Sequence, residues 1–409
     1  MASIFISHSS KDNAWAQRLK AWLEDKQHRS LFLDFDRETG LKAGDLWEQQ
    51  LYAKLRQCQS VLALVSRDWL DSRWCFAEAV QAREKGKRLI LARIDNADIS
   101  GLFTDVQHLD FVCDEADAFA RLEVGLAHVF DIQPDREPYP GLVPFDERDA
   151  GVFVGRDPEI ASLLEILEST RLKSRSGERL LLLLGASGSG KSSLVRAGVL
   201  PRLRRLPERW QLLPPMRPGL DPLREFALCL AVVLGQDLEA VSSRLAARGR
   251  DGGPLQILTD EMRLHARQPE ATVLLVLDQM EELLGLSEAQ ACGRFLDVLR
   301  RALAHGDGRF LVLATLRSEY LGEVQLLPFL TTPGALPYRE QTLDPVPLDR
   351  LDDIIRVPGQ RWPQPVEFAD RLVERMLRDT GTRDALPLLA FTQPTLARHR
   401  CTRRRGLPV

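Results

Sequence analysis

Residues 179–193 read RLLLLLGASGSGKSS, an aliphatic run that opens into a loop of small residues closed by Lys191. Leu180–Leu184 has the unbroken apolar character of a strand buried on both faces of a sheet. From Gly185 the spacing is G-x-x-x-x-G-K-S, placed directly after that strand. Such a loop turns backbone N–H groups inward around phosphate oxygens. Gly185, Ser187, Gly188, Ser189 and Gly190 are the expected cradle. Lys191 brings a point charge to the terminal phosphates, and Ser192 is placed to hold Mg²⁺. Ser193 continues into a helix whose positive dipole end faces the same phosphates. Strand, phosphate loop and helix in this order predict an α/β domain with a phosphate-binding site.

Two further strands carry polar groups to the same edge. TVLLVLDQMEELL (272–284) ends its apolar run at Asp278, a position suited to Mg²⁺ directly or through water. Glu281 or Glu282 could orient an attacking water; both also suit the exposed start of a helix. FLVLATLR (310–317) ends at Arg317, either aimed at a γ-phosphate or solvated. A proline-rich insert runs from Pro201 to Pro222, and prolines are frequent again between Pro333 and Pro365.

The first 130 residues alternate short apolar runs with amphipathic stretches. The runs are Ile4–Ser7, Leu31–Phe35, Val61–Val65 and Leu89–Ile94. The helical faces are Trp15/Leu19/Trp22/Leu23, Trp47/Leu51/Leu55, 74–84 and Phe119/Leu122/Leu126/Phe130. This order predicts a second parallel sheet with helices on both faces. Prolines 134, 138, 140 and 144 mark 131–150 as a linker. A doubly wound sheet binds ligands beyond its strands' carboxyl ends, here Ser7–Ser10, Asp34–Asp36 and Ser66. Cys75 has no adjacent base and is expected to be packed, as is Trp74. Glu78 taken alone is an ordinary helical glutamate.

The chain has 409 residues, enough for two or three domains at about 150 each. Its 55 basic and 58 acidic residues leave −3, which argues against a broadly basic nucleic-acid binder. No apolar run approaches the ~20 residues of a membrane span, and the first residues do not read as a signal peptide. Six cysteines without a C-x-x-C pair suggest neither zinc nor a disulfide framework, and the cytoplasm is the expected compartment. From Gln393 the sequence is irregular and basic: a solvated end, a nucleic-acid tail, or a departure from the natural reading frame.

YPGLVPFDERDAGVFVGRDPEI, GASGSGKSSL, LVLDQMEELL, LATLRSEYL and ALPLLAF together resemble a STAND-class signalling NTPase over about 139–392. The resemblance implies that Gly155 and Arg156 lie by the nucleotide base. It also implies that Pro387 contacts the nucleotide from a winged-helix region, with Ala385 where glycine is usual. FISHSSKD, LDFDRETGLKAG, VLALVSRDWLDSRWCFAEAV and RLILARID resemble a TIR domain, a flavodoxin-like α/β fold. That likeness implies NAD⁺ cleavage with Glu78 catalytic and Ser9, Ser10 and Lys42 binding NAD⁺. The expected organisation is a TIR domain at 1–130, a linker at 131–150 and a P-loop NTPase at 151–345. A partial helical or winged-helix region (346–392) and the basic tail (393–409) follow. The function implied is an NAD⁺ glycohydrolase governed by an ATP/ADP oligomerisation switch, in signalling or antiphage defence. Self-association, an unidentified trigger and no membrane or nucleic-acid partner go with it. A repeat sensor usual in such architectures is not evident. A non-enzymatic TIR adaptor and a plain ATPase are the alternatives.

Overall fold

A computed structural model describes residues 4–26, 28, 31–33, 55, 58–84, 87–99, 101, 106, 108–126, 129–130, 133, 135–172, 178–247, 253–305, 308–331, 336–362, 366–379, 386–390 and 392–393. Two five-stranded parallel sheets organise them.

The first sheet contains β1 (Ile4–Ser7), β2 (Leu31–Phe32), β3 (Ser60–Val65), β4 (Arg88–Arg93) and β5 (His108–Asp110), in the order β2-β1-β3-β4-β5. This is the flavodoxin-like order. Every residue of β1 and β3 is buried, and alternate side chains feed two cores. Ile4, Ile6, Leu62 and Leu64 pack with Leu19 and Leu23 of α1 (Asn13–Asp25) and Leu122 of a later helix, α3 (Glu115–Gly125). Phe5, Val61, Ala63 and Val65 pack on the other face with Cys75, Ala79 and Ala82 of α2 (Arg73–Glu84). The expected strands at 61–65 and 89–94 are present with small shifts in their ends. The short edge strand β5 has too few residues to show a pattern. The helix expected around Trp47 and Leu51 lies outside the described residues.

The second sheet is built from β6 (Leu180–Gly185), β7 (Trp210–Leu212), β8 (Thr272–Leu277), β9 (Phe310–Arg317) and β10 (Tyr338–Thr342), in the order β10-β6-β9-β8-β7. Leu181, Leu183, Leu274, Val276, Leu311 and Leu313 face α4 (Asp157–Leu172) and α5, a helical segment over 191–204. That segment has a π-helical middle, Leu194–Val199. The opposite residues, among them Leu182, Leu275 and Val312, face α6 (Pro222–Leu234), α7 (Leu238–Ala246), α8 (Gly253–His265) and α9 (Ala289–His305). Beyond the sheet, α10 (Leu348–Arg361) and α11 (Asp370–Asp379) form a small cluster around Leu351, Ile355, Phe368 and Val373.

The stretch expected as linker carries structure among its described residues, where Arg136 pairs with Asp146 and Asp149. Tyr139 is buried in the α10–α11 cluster, and the turn Glu147–Asp149 is closed by a capping box between Asp146 and Asp149. The two sheets' surroundings also touch. The Arg361 guanidinium, 4% exposed, donates to the carbonyls of Gly151 and Cys58, and Arg202 and Arg205 lie over the Phe130 ring.

Candidate functional site

The carboxyl edge of the second sheet frames a cavity of about 370 Å³. The register places Gly185 of β6 beside Arg317 of β9, and Leu277 of β8 beside Ala314 of β9. Phosphate loop, acidic strand end and arginine therefore converge although they lie up to 132 positions apart (185 to 317). Gly188, Gly190, Lys191, Ser192 and Ser193 line the cavity. The Lys191 ammonium donates to the carbonyls of Gly185 and Ala186, at 2.7 and 2.8 Å. Burial lowers its pKa from the ordinary lysine value, while the charge of Glu281 opposes that shift.

Asp278 sits behind the loop, 1% exposed. Its Oδ1 accepts from Ser192 Oγ at 2.8 Å and from Thr315 Oγ1 at 2.7 Å, and its Oδ2 accepts from Arg196 at 2.9 Å. Ser192 and Asp278 thus offer two adjacent hard oxygens, a donor set that fits Mg²⁺. Glu281 lines the cavity and pairs with Arg317. Arg317 Nε lies 3.1 Å from Glu281 Oε1, and the Arg317 N–H donates to Oε2. Glu282 points elsewhere, because it opens a short helix and accepts from the Gly219 N–H at 3.1 Å. Of the two glutamates left open by the sequence, the structure brings only Glu281 to the cavity.

Arg156 braces the loop from the side: its guanidinium donates to the carbonyls of Ser189 (3.0 Å) and Asp344 (2.8 Å), and to Glu159. Gly155 lies against Ile354 of α10. Pro387 is seated on the loop at Gly188 and lines the cavity, with Leu386 beside Gly190. Ala385 lies outside the described residues. The outer half of the cavity is apolar, formed by Phe153, Ile354 and Pro358 among others, a shape and polarity suited to a flat base. Ser187 also lines the cavity, whereas the Ser189 hydroxyl is buried with no hydrogen-bond partner among the described residues. Sequence reasoning missed Gln393. It is 5% exposed, lines this cavity, and has no partner for its amide nitrogen among the described residues. A buried donor in that condition suits a ligand acceptor. No periodicity marks it, since the apolar pattern stops just before it.

The corresponding edge of the first sheet brings together the loop after β1 and α2. Glu78 is buried, 7% exposed, on the stripe of α2 that also carries Cys75, Ala79 and Ala82. One turn before it, Cys75 Sγ reaches the His8 carbonyl at 3.4 Å, which docks the Glu78 helix against the β1 loop. Ser9 is buried there and its hydroxyl accepts from the Lys11 N–H, whereas Ser10 is exposed. The Trp69 indole donates to Ser7 Oγ at 3.1 Å, and Ser66 Oγ donates to Asp12 at 2.6 Å, fixing the two strand ends to each other. Lys42 lies outside the described residues. Cys75 is packed as expected, but Trp74 is 46% exposed, because it falls beside rather than on the buried stripe.

A family model described as Novel STAND NTPase 1 matches residues 138–407, and a TIR domain model matches residues 4–123. Comparison with curated proteins returned no match. Among solved structures, the ADP form of the Aeropyrum pernix ORC2 protein is 14% identical, with a TM-score of 0.44, over 58% of this chain and 62% of that one. The ORC1 protein of the same organism in complex with DNA gives 17% identity and 0.43, over 66% and 65%. A Walker-type ATPase of Pyrococcus abyssi gives 16% and 0.38, over 65% and 79%. The chain thus spans less than two thirds of either ORC structure. At these scores neither the ligands nor the partners of those proteins transfer to it.

Proposed function

Since the chain belongs to the novel STAND NTPase family and carries a TIR domain ahead of the NTPase domain, we propose that it is an NAD⁺-cleaving effector under nucleotide control. The observation that carries the enzymatic half is Glu78, a buried carboxylate on a helix pinned to the β1 loop. Nicotinamide leaves NAD⁺ as a neutral molecule, so the reaction needs no general acid. The ribose carbon left behind becomes cation-like, and an ionised carboxylate held beside it lowers the barrier electrostatically. Water then adds at that carbon and gives ADP-ribose and a proton; capture by the adenine ring instead gives a cyclic product. Ser9, Ser10 and Lys42 are assigned to NAD⁺ binding.

The second half rests on the cavity at Lys191. Its cradle takes the phosphates of ATP or ADP, Arg156 and Pro387 hold its flanks, and Ser192 with Asp278 would hold Mg²⁺, which offsets phosphate charge when bound. Arg317, paired with Glu281 at the cavity wall, is placed to exchange that partner for a γ-phosphate. Two nucleotide states bias an equilibrium only through different affinities for two arrangements of the chain. The arrangement favoured by ATP is assigned to self-association, which gathers TIR domains, and the exposed Trp74 and Phe76 beside Glu78 support such contacts. No helix among the described residues is long and apolar enough to cross a membrane. Free thiols at Cys58, Cys75, Cys113, Cys229 and Cys292 support a reducing compartment, the cytosol, where signalling or defence would operate.

The test is NAD⁺ loss by concentrated full-length protein with ATP, for wild type, Glu78→Gln and Lys191→Ala. We expect Glu78→Gln to slow NAD⁺ loss about 10²–10³-fold while its assembly and fold persist. Lys191→Ala should bind nucleotide weakly and fail to assemble. Undiminished NAD⁺ loss by folded Glu78→Gln removes the enzymatic reading and leaves the adaptor. Nucleotide-dependent assembly by Lys191→Ala removes the switch.

A further inference from the structure

Gln279 follows Asp278 at the end of β8 with φ +59, a left-handed backbone that a side chain with a Cβ rarely adopts. Three bonds hold it there. Its N–H donates to Thr315 Oγ1 at 2.9 Å, the next N–H, of Met280, donates to the Thr315 carbonyl at 2.9 Å, and its own carbonyl accepts from Glu282 at 3.0 Å. The same Thr315 hydroxyl donates onward to Asp278. The turn is therefore tied to the strand that carries Arg317, and its conformation is imposed by the surroundings.

The constraint has a geometric result. Gln279 is half-buried and lines the cavity together with Gly188, Lys191, Ser192 and Arg317. Its side-chain amide makes no hydrogen bond among the described residues. The other polar groups of this wall are engaged: Asp278 through both oxygens, Glu281 through both oxygens to Arg317. An amide with a free donor and a free acceptor can hold a water without taking its proton.

We propose that Gln279 is the catalytic residue that positions the attacking water when a nucleoside triphosphate occupies the cavity. This rests on reading the cavity as a nucleotide site. The amide carbonyl accepts one hydrogen of the water, and the amide N–H₂ donates to a terminal phosphate oxygen. The water oxygen bonds to phosphorus as the bond to the bridging oxygen breaks. The nucleoside diphosphate leaves, and the water's proton passes to a phosphate oxygen. Glutamine enters and leaves the step unchanged, as in other phosphoryl-transfer enzymes where an amide orients water. In this assignment Gln279 holds the water, and Glu281 holds Arg317.

The experiment uses the full chain, a fluorescent ATP analogue for binding, and single-turnover cleavage of ATP for chemistry. Gln279→Ala removes the amide but keeps the backbone strain; Gln279→Gly removes both and secures the fold. Both should still bind ATP and cleave it about 10²-fold more slowly. Wild-type cleavage by Gln279→Gly overturns the assignment while the nucleotide site stands. Binding of ATP by wild type without cleavage overturns it too. Failure of the wild type to bind ATP at all is a separate result, which removes the nucleotide reading and this assignment with it.

Discussion

Gly188 shows how one position can be legible in sequence while its reason is not. The phosphate-loop spacing requires a glycine there, and φ +74 agrees with a backbone that turns its N–H groups inward. A Cβ at Gly188 would stand 2.5 Å from Cγ of Pro387, a residue 199 positions later. Gly188→Ala is therefore expected to lose about 1–2 kcal/mol from its backbone alone, and to push Pro387 off the loop. A urea midpoint and nucleotide affinity both report it; a protein with unchanged affinity would mean that Pro387 is not a fixed neighbour. Lys191, Asp278 and Arg317 were readable because strand ends are marked by the switch from apolar to polar. Gln279 and Gln393 were not, because glutamine carries no charge and fits no spacing rule. The choice between Glu281 and Glu282 needed the helix start that turns Glu282 toward Gly219.

At the scale of elements, the long apolar strands β3, β6, β8 and β9 were visible in sequence. The short edge strands β5, β7 and β10 were not, since three to five residues with one exposed face give little pattern. Helix α10 hides a subtler device. Pro358 lies inside it and interrupts the backbone ladder. The hydroxyl of Tyr139 enters at that break, donating to the Ile355 carbonyl at 2.6 Å and accepting from the Gly359 N–H at 3.0 Å. Gly359 is needed for that approach, since a Cβ would stand 2.7 Å from the same hydroxyl. A residue placed by its prolines in a linker thus completes a helix more than two hundred positions away. Tyr139→Phe leaves two buried backbone groups unpaired, at about 1–3 kcal/mol each. Because Ile354 and Pro358 line the cavity, nucleotide affinity should fall with stability. Burial also raises the Tyr139 pKa from its ordinary value. Above about pH 10 the unfolded chain ionises this phenol and the folded chain does not, so stability falls as pH rises through that window. The decline should be shallower in Tyr139→Phe when denaturation midpoints are compared between pH 8 and 11, with the remaining slope owed in part to the buried Cys58 thiol, whose pKa burial also raises.

At the scale of the molecule, arginines join the two sheets among the described residues. Arg361 ends α10 and reaches the Cys58 carbonyl beside β3, while Arg205 donates to the Leu126 carbonyl. Burial pulls the Lys87 ammonium down from its ordinary value, and the nearby Arg361 charge adds to that pull. A seam that brings like charges together out of water is held by hydrogen-bond geometry against electrostatic cost. Arg361→Ala should release the TIR half from the NTPase half. Calorimetry should then resolve two transitions, and the 135–138 stretch should become more open to protease. A single unchanged transition would show that the seam does not depend on this arginine. No sequence pattern announces it, because an arginine that closes an amphipathic helix looks like any solvated residue.

The ring of Pro387 on the phosphate loop belongs to the same cluster of helices that Tyr139 ties together. Filling the loop and moving that cluster are therefore two handles on one equilibrium, and each must act on the other equally. If the cavity takes a nucleoside diphosphate as proposed, holding the cluster in place should lengthen its stay and moving the cluster should shorten it.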